Sequence, residues 1–194
     1  MNRVAVINVV GLTKGLISDK TPAIKAFAES RELSSFAPVF PAVTCSAQST
    51  YLTGTDIGEH GIVGNGWYDR EFSELRFWKQ SNHQVHGEKI WDKMKRTHEA
   101  AKCANMFWWY NMYSTADFTA TPRPMYPADG SKVFDIHTQP MGMRESIKAD
   151  LGDFPFPAFW GPAAGIQSSR WIAESAKWIE TAEQPDLNLV YLPH

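Results

Sequence analysis

Thr44 stands where a hydroxyl can do chemistry. The short turn Ala42-Val43-Thr44 follows Pro41, and Ser46 to Leu52 runs without a breaker to Gly54. That pattern predicts a helix starting just after Thr44 and stopping at the glycine. The first turn of a helix carries unpaired backbone N–H groups and the positive end of the helix dipole, and both favour an anion. A phosphoryl group attacked by the Thr44 hydroxyl would have its growing negative charge stabilised there. Threonine is also a preferred N-cap, so the same position has a purely structural reading. Other groups are weaker candidates. His83 and His86 sit in a polar loop, and His60 suits ordering a glycine-rich turn better than holding a metal. Cys45 and Cys103 form no Cys-x-x-Cys pattern and read as two buried thiols.

The elements that must position Thr44 can be read around it. Val4 to Val9 is an apolar, β-branched run ending at Gly11, the pattern of a buried parallel strand. Thr21-Pro22 gives a cap and a first-turn proline for a helix from Pro22 to Ser30. Ser35 to Phe40 reads as a second strand, stopped by Pro41. From Gly54 to Gly66 five glycines make a loop suited to close backbone approaches. Trp67-Tyr68 and Leu75 to Trp78 flank a polar turn as a hairpin. Further on, Ile90 to Arg96 is predicted helical, Lys102 to Trp108 a strand, and Thr121 to Pro127 irregular. Met143 to Leu151 is a helix, Ser168-Ser169 cap another with an apolar stripe at Ile172, Ala176 and Ile179, and Leu187 to Leu192 is an apolar strand. Strands alternating with helices argue for a mainly parallel sheet covered on both faces, with the site at the carboxyl ends of the strands. Thr44, the glycine-rich loop and His194 all fall at such ends, and Trp109, Tyr110 and Asn111 are either core or cleft wall there.

Bulk properties narrow the class. The 194 residues suffice for one domain with a sizeable core, and 43% hydrophobic with 21% charged residues is an ordinary globular balance. A net charge of -2 gives no reason to expect a nucleic acid polymer or an anionic membrane as partner. No apolar run approaches the roughly 20 residues of a membrane span, and the opening run is too short for a signal peptide. A cytoplasmic location is expected.

The stretch from Pro38 to Asp69, PVFPAVTCSAQSTYLTGTDIGEHGIVGNGWYD, is far more specific than any single motif. It resembles the signature of the nucleotide pyrophosphatase/phosphodiesterase branch of the alkaline phosphatase superfamily. In order, it supplies Pro38-Val39-Phe40-Pro41, Thr44, Thr53-Gly54, His60-Gly61-Ile62, Asn65 and Tyr68-Asp69. Similarity in type and order extends from the first strand through Gly87-Glu88-Lys89-Ile90-Trp91 to about Trp109. The resemblance implies an alkaline-phosphatase-like three-layer αβα sandwich with a mainly parallel sheet. It implies a hydrolase of small phosphoesters in which Thr44 is the nucleophile, forms a phospho-enzyme and ligates metal. Asn65, together with the backbone N–H of Cys45, would hold a phosphate oxygen, although Asn between two glycines is also a common turn residue. Two divalent ions, zinc by preference, would clamp the oxygens of an in-line displacement.

Three positions depart from that pattern. Val10 replaces the metal-binding Asp before Gly11, and an apolar side chain cannot ligate a cation. Asn8, one pleat repeat or roughly 6–7 Å away, is too far for a simple substitution. Val43 replaces a Lys, and Cys45 replaces an aromatic residue that stacks on a nucleobase, which weakens the case for a nucleotide substrate. Sulfatases share the fold, but Cys45-Ser46-Ala47-Gln48-Ser49 lacks their Pro and Arg. The remaining metal ligands of the family lie past the strand at Leu187 to Leu192. Residues 1–194 are therefore expected to be the N-terminal portion of one domain, truncated on the C-terminal side and inactive alone, with His194 a possible ligand at the strand's lip. The alternative is a catalytically impaired relative with a binding or assembly role.

Overall fold

A computed structural model describes residues 2–194. Its centre is a five-stranded sheet in the order β1-β7-β4-β5-β6. The strands are β1 (Val4–Val9), β4 (Cys103–Met106), β5 (Phe118–Met125), β6 (Val133–Gln139) and β7 (Leu187–Leu192). Three neighbouring pairs are parallel, and only β5 and β6 run antiparallel. The helices are α1 (Pro22–Glu29), α2 (Thr44–Thr53), α3 (Ile57–His60), α4 (Ile90–Thr97), α5 (Met143–Leu151) and α6 (Ile166–Ala182). β2 (Gly66–Asp69) and β3 (Glu74–Phe77) form a separate antiparallel hairpin, as their sequence predicts.

Strand β7 shows why the sheet has helices on both faces. Its residues alternate in direction along the strand. On one face Asn188 donates through Nδ2 to the Ala176 carbonyl of α6, at 3.2 Å. On the other, the Tyr191 hydroxyl meets Thr44 of α2, at 3.4 Å. A strand packed on both sides must be apolar nearly throughout, and Leu187 through Tyr191 are all buried. β1, expected to be a buried strand, is instead largely uncovered at Val4, Val6 and Ile7, because it lies at the sheet edge with β7 as its one neighbour.

Four more sequence expectations need correction. Ser35 to Phe40 is not a strand but irregular, mostly exposed chain. Pro38 removes a ladder donor there, and none of the described strands pairs with this stretch. Conversely, Thr121 to Met125 is not irregular, because it forms most of β5. β5 pairs with β4 only from Phe118 to Ala120, so Pro122 and Pro124 face an edge that β4 has already left. The Pro122 carbonyl on that edge instead accepts from Gln80 Nε2 at 2.7 Å. Thr21 makes no side-chain cap to α1, its hydroxyl being turned back to the Leu16 and Ser18 carbonyls. Finally, Ser168 and Ser169 lie inside the first turn of α6, which Gly165 caps.

The glycine-rich stretch after α2 is more ordered than a plain loop. Gly54 ends α2 in the left-handed region at φ 69°, donating to the Thr50 carbonyl at 2.8 Å. Asp56 caps the short α3 by accepting from the Glu59 N–H at 3.1 Å. No atom lies within 4 Å of where a Cβ on Gly54 would stand. Gly54→Ala is therefore expected to cost only the backbone term, about 1–2 kcal/mol, as a lower urea midpoint with an unchanged m-value.

Candidate active site

Helix α2 begins at Thr44, and its side chains bond Tyr191 near the carboxyl end of β7, Asn8 near that of β1, and Trp109 in the turn after β4. Val43 is the N-cap, in extended conformation and without a side-chain bond. The helix, expected to start just after Thr44, begins at it, so the alternative in which Thr44 is merely the N-cap does not hold: it is the first helical residue, half-buried, with its hydroxyl free of capping duty. Among the described residues, the side-chain partner of that hydroxyl is Tyr191, at 3.4 Å. Burial pushes the Tyr191 phenol up, against the Thr44 hydrogen bond that lowers it. Tyr191 is thus a neutral hydroxyl near pH 7 and no base for Thr44.

The second helical residue, Cys45, has two separate faces. Its thiol is fully buried, and burial pushes its pKa up to about 12. Such a thiol is inert and cannot stack on or contact a ligand. Its backbone N–H points the other way and donates to Asn65 Oδ1 at 3.0 Å. Asn65 is half-buried at the end of the glycine-rich stretch, and its own carbonyl accepts from the Trp78 N–H at 3.0 Å. With Oδ1 accepting, the amide presents Nδ2 as an outward donor. The three residues singled out from sequence, Thr44, Cys45 and Asn65, are therefore brought together.

Gln48, one turn beyond Thr44, was not expected to matter. It is buried, its Oε1 accepts from the Trp109 N–H at 2.7 Å, and its Nε2 donates to Asn8 Oδ1 at 3.3 Å. Asn8 pairs in register with Tyr191 across β1 and β7. Trp109, Tyr110 and Asn111, candidates for a cleft wall, are instead core. Asn111 Nδ2 donates to the Ala120 carbonyl at 2.8 Å, and Trp109 Nε1 to the Lys79 carbonyl at 2.7 Å.

Thr44, Cys45 and Asn65 line neither of two clefts of similar size. One of about 850 Å³ is lined by Phe77, Trp78, Lys79, Arg123, Tyr126 and Trp160, and Trp78 ties it to Asn65. The other, of about 840 Å³, is mostly apolar and opens at Val10 and Leu12 between α1 and α6.

The donors around Thr44 do not fit a pair of zinc-class ions. They are hydroxyls and carboxamides, whereas zinc takes carboxylates, imidazoles and thiolates. Among the described residues, no three His, Cys, Asp or Glu side chains gather where an ion could sit. His194 lines the apolar cleft, its backbone bonded to Ser169 and its Nε2 3.2 Å from the Phe159 carbonyl, with no link to Thr44. His83 lies in a 3-10 turn, and the backbone N–H of His86 bonds the His60 carbonyl at 3.0 Å.

His60 does order the turn. It is fully buried, its Nδ1 accepts the Ile62 N–H at 3.1 Å, and its Nε2 meets Thr50 Oγ1 at 2.9 Å. Burial lowers its pKa, outweighing the nearby Asp56 carboxylate. The unfolded chain therefore takes up this proton at a higher pH than the folded one. Stability from His60 is complete above the ordinary histidine value of about 6.5 and declines as pH falls below it. Urea midpoints between pH 7 and pH 5 are expected to fall more steeply in the wild type than in His60→Gln. Parallel slopes would contradict this assignment.

A profile of the family described as Type I phosphodiesterase / nucleotide pyrophosphatase matches residues 4–194. Comparison with curated proteins finds no match. Among the described residues, no helix is long and apolar enough to cross a membrane.

Proposed function

The chain belongs to the type I phosphodiesterase/nucleotide pyrophosphatase family, a family of hydrolases acting on small phosphoesters, and we propose that the whole protein cleaves such an ester through Thr44. The observation that carries this reading is the grouping at the start of α2. Thr44 Oγ is the first side chain of the helix, and the next backbone N–H is held 3.0 Å from the Asn65 amide. An incoming phosphoryl oxygen would replace Asn65 Oδ1 as acceptor of the Cys45 N–H and take a second hydrogen bond from Asn65 Nδ2. Those two donors and the positive end of α2 would hold the charge that grows on the non-bridging oxygens. Thr44 Oγ then attacks phosphorus, the P–O bond to one alcohol breaks, and that alcohol leaves with the threonine proton. Water cleaves the Thr44–phosphoryl bond in a second step and restores the hydroxyl.

The cleft that Trp78 links to Asn65 suits the organic group of the ester, with aromatic walls for a flat apolar body and Arg123 for further negative charge, Lys79 being paired with Glu74 at 2.9 Å. The family's members normally depend on divalent ions. Since the described residues do not supply their ligand set, any ion takes its carboxylates and imidazoles from outside them, and no step above is routed through one. In this reading the 194 residues alone turn nothing over. Dialysis of the whole protein against a chelator is expected to abolish hydrolysis of bis-p-nitrophenyl phosphate, with recovery on adding zinc or manganese. Undiminished turnover in chelator would show that the neutral donors suffice.

A second reading, a binding or assembly protein on the same scaffold, is favoured by Val10. It stands 46% exposed at the mouth of an apolar cleft where a metal carboxylate is expected. Two equivalents of tightly held zinc in the purified whole protein would rule it out.

A further inference from the structure

We infer that Gln48, working through Asn8, is a positioning residue that fixes the Thr44 hydroxyl; this rests on Thr44 being the nucleophile. Gln48 is four residues past Thr44, so the two lie on one face of α2, a turn apart. Only 1% of it is exposed, yet both ends of its amide are used. Oε1 accepts the Trp109 N–H at 2.7 Å, and Nε2 donates to Asn8 Oδ1 at 3.3 Å. A single side chain thus ties α2 to the end of β1 and to the turn after β4.

The tie reaches the hydroxyl by two routes. One runs back along α2 for a single turn. The other runs from Asn8 to its register partner Tyr191, whose hydroxyl stands 3.4 Å from Thr44 Oγ1. The turn that carries Trp109 needs such a tie, because Phe107 and Tyr110 on either side sit in the left-handed region at φ 71° and 57°. Bulky residues hold that conformation only where surrounding contacts impose it. Glutamine suits the place because one end must accept and the other donate; methionine does neither.

The test uses the whole protein and two readouts, one of them independent of activity. By NMR hydrogen exchange, Gln48→Met is expected to speed exchange at the amides of both Trp109 and Cys45 by about tenfold or more, leaving Ile147 in α5 unchanged. Asn8→Ala cuts only the β1 arm and is expected to speed Cys45 alone, which keeps the test alive if Gln48→Met fails to fold. In hydrolysis of bis-p-nitrophenyl phosphate, Gln48→Met should lower kcat by about ten- to a hundredfold with KM within about twofold. A rise in exchange confined to Trp109, or a lower melting temperature with kcat untouched, overturns the inference and leaves Gln48 a structural clip. A wild type with no turnover refutes the Thr44 reading, while the exchange at Cys45 still decides whether Gln48 positions the start of α2.

Discussion

Replacing Thr44 with alanine is expected to lower phosphoester hydrolysis by the whole protein by about a thousandfold or more, with the fold intact. The loss is large because the proposed nucleophile has no neighbour able to take its place. The adjacent Cys45 thiol is fully buried and held neutral, and Tyr191 is a neutral phenol set within β7. The structural cost is small because Thr44 is half-buried and its hydroxyl makes one long bond, at 3.4 Å. One such hydrogen bond contributes about 1 kcal/mol or less. An equal melting temperature with activity near background is the expected pair of results. Retained activity would move the chemistry to another residue.

The second large effect belongs to Asn65. Its Oδ1 holds the Cys45 N–H at 3.0 Å in the resting site, and its Nδ2 is the donor left for a phosphate oxygen. Removing one preorganised donor of this kind costs about 10²–10³ in kcat, and Asn65→Ala is expected to fall in that range. Asn65→Asp keeps the acceptor for Cys45 but sets a negative charge against the substrate, so it should be no better than Asn65→Ala. If Asn65→Asp turned over like the wild type, the residue would be only a turn former between two glycines.

How much of this was legible beforehand depended on how local the determining physics is. β1, β7, α5 and the β2–β3 hairpin follow from short-range patterns: an apolar run, a helical stripe, a polar turn between apolar pairs. β5 defied its local pattern because Pro122 and Pro124 read as breakers. Whether a proline breaks a strand depends on which edge its nitrogen faces, and here that edge had lost its partner after Ala120. Ser35 to Phe40 failed in the opposite sense, having strand-like residues but no strand to join.

The site divides in the same way. Thr44, Cys45 and Asn65 share one motif-bearing stretch, so their order announced them. Tyr191 lies 147 positions from Thr44 and Trp109 lies 61 from Gln48, and only sheet order and register bring each pair together. Gln48 itself looked like a polar residue on a helix of unremarkable pattern. Nor does burial single it out among its neighbours: Ser46 bonds the Pro41 and Val43 carbonyls of the preceding turn, whereas Gln48 reaches Asn8 of β1 and the turn after β4.

The most direct test of the account is to trap the covalent intermediate. The whole protein, mixed with bis-p-nitrophenyl phosphate and quenched in acid within its first turnover, is digested and its peptides are weighed. One p-nitrophenyl phosphoryl group is expected on Thr44, formed as the first nitrophenolate leaves and released by water as p-nitrophenyl phosphate, with none in Thr44→Ala. Steady turnover with no adduct on Thr44, or an adduct on any other residue, would contradict it.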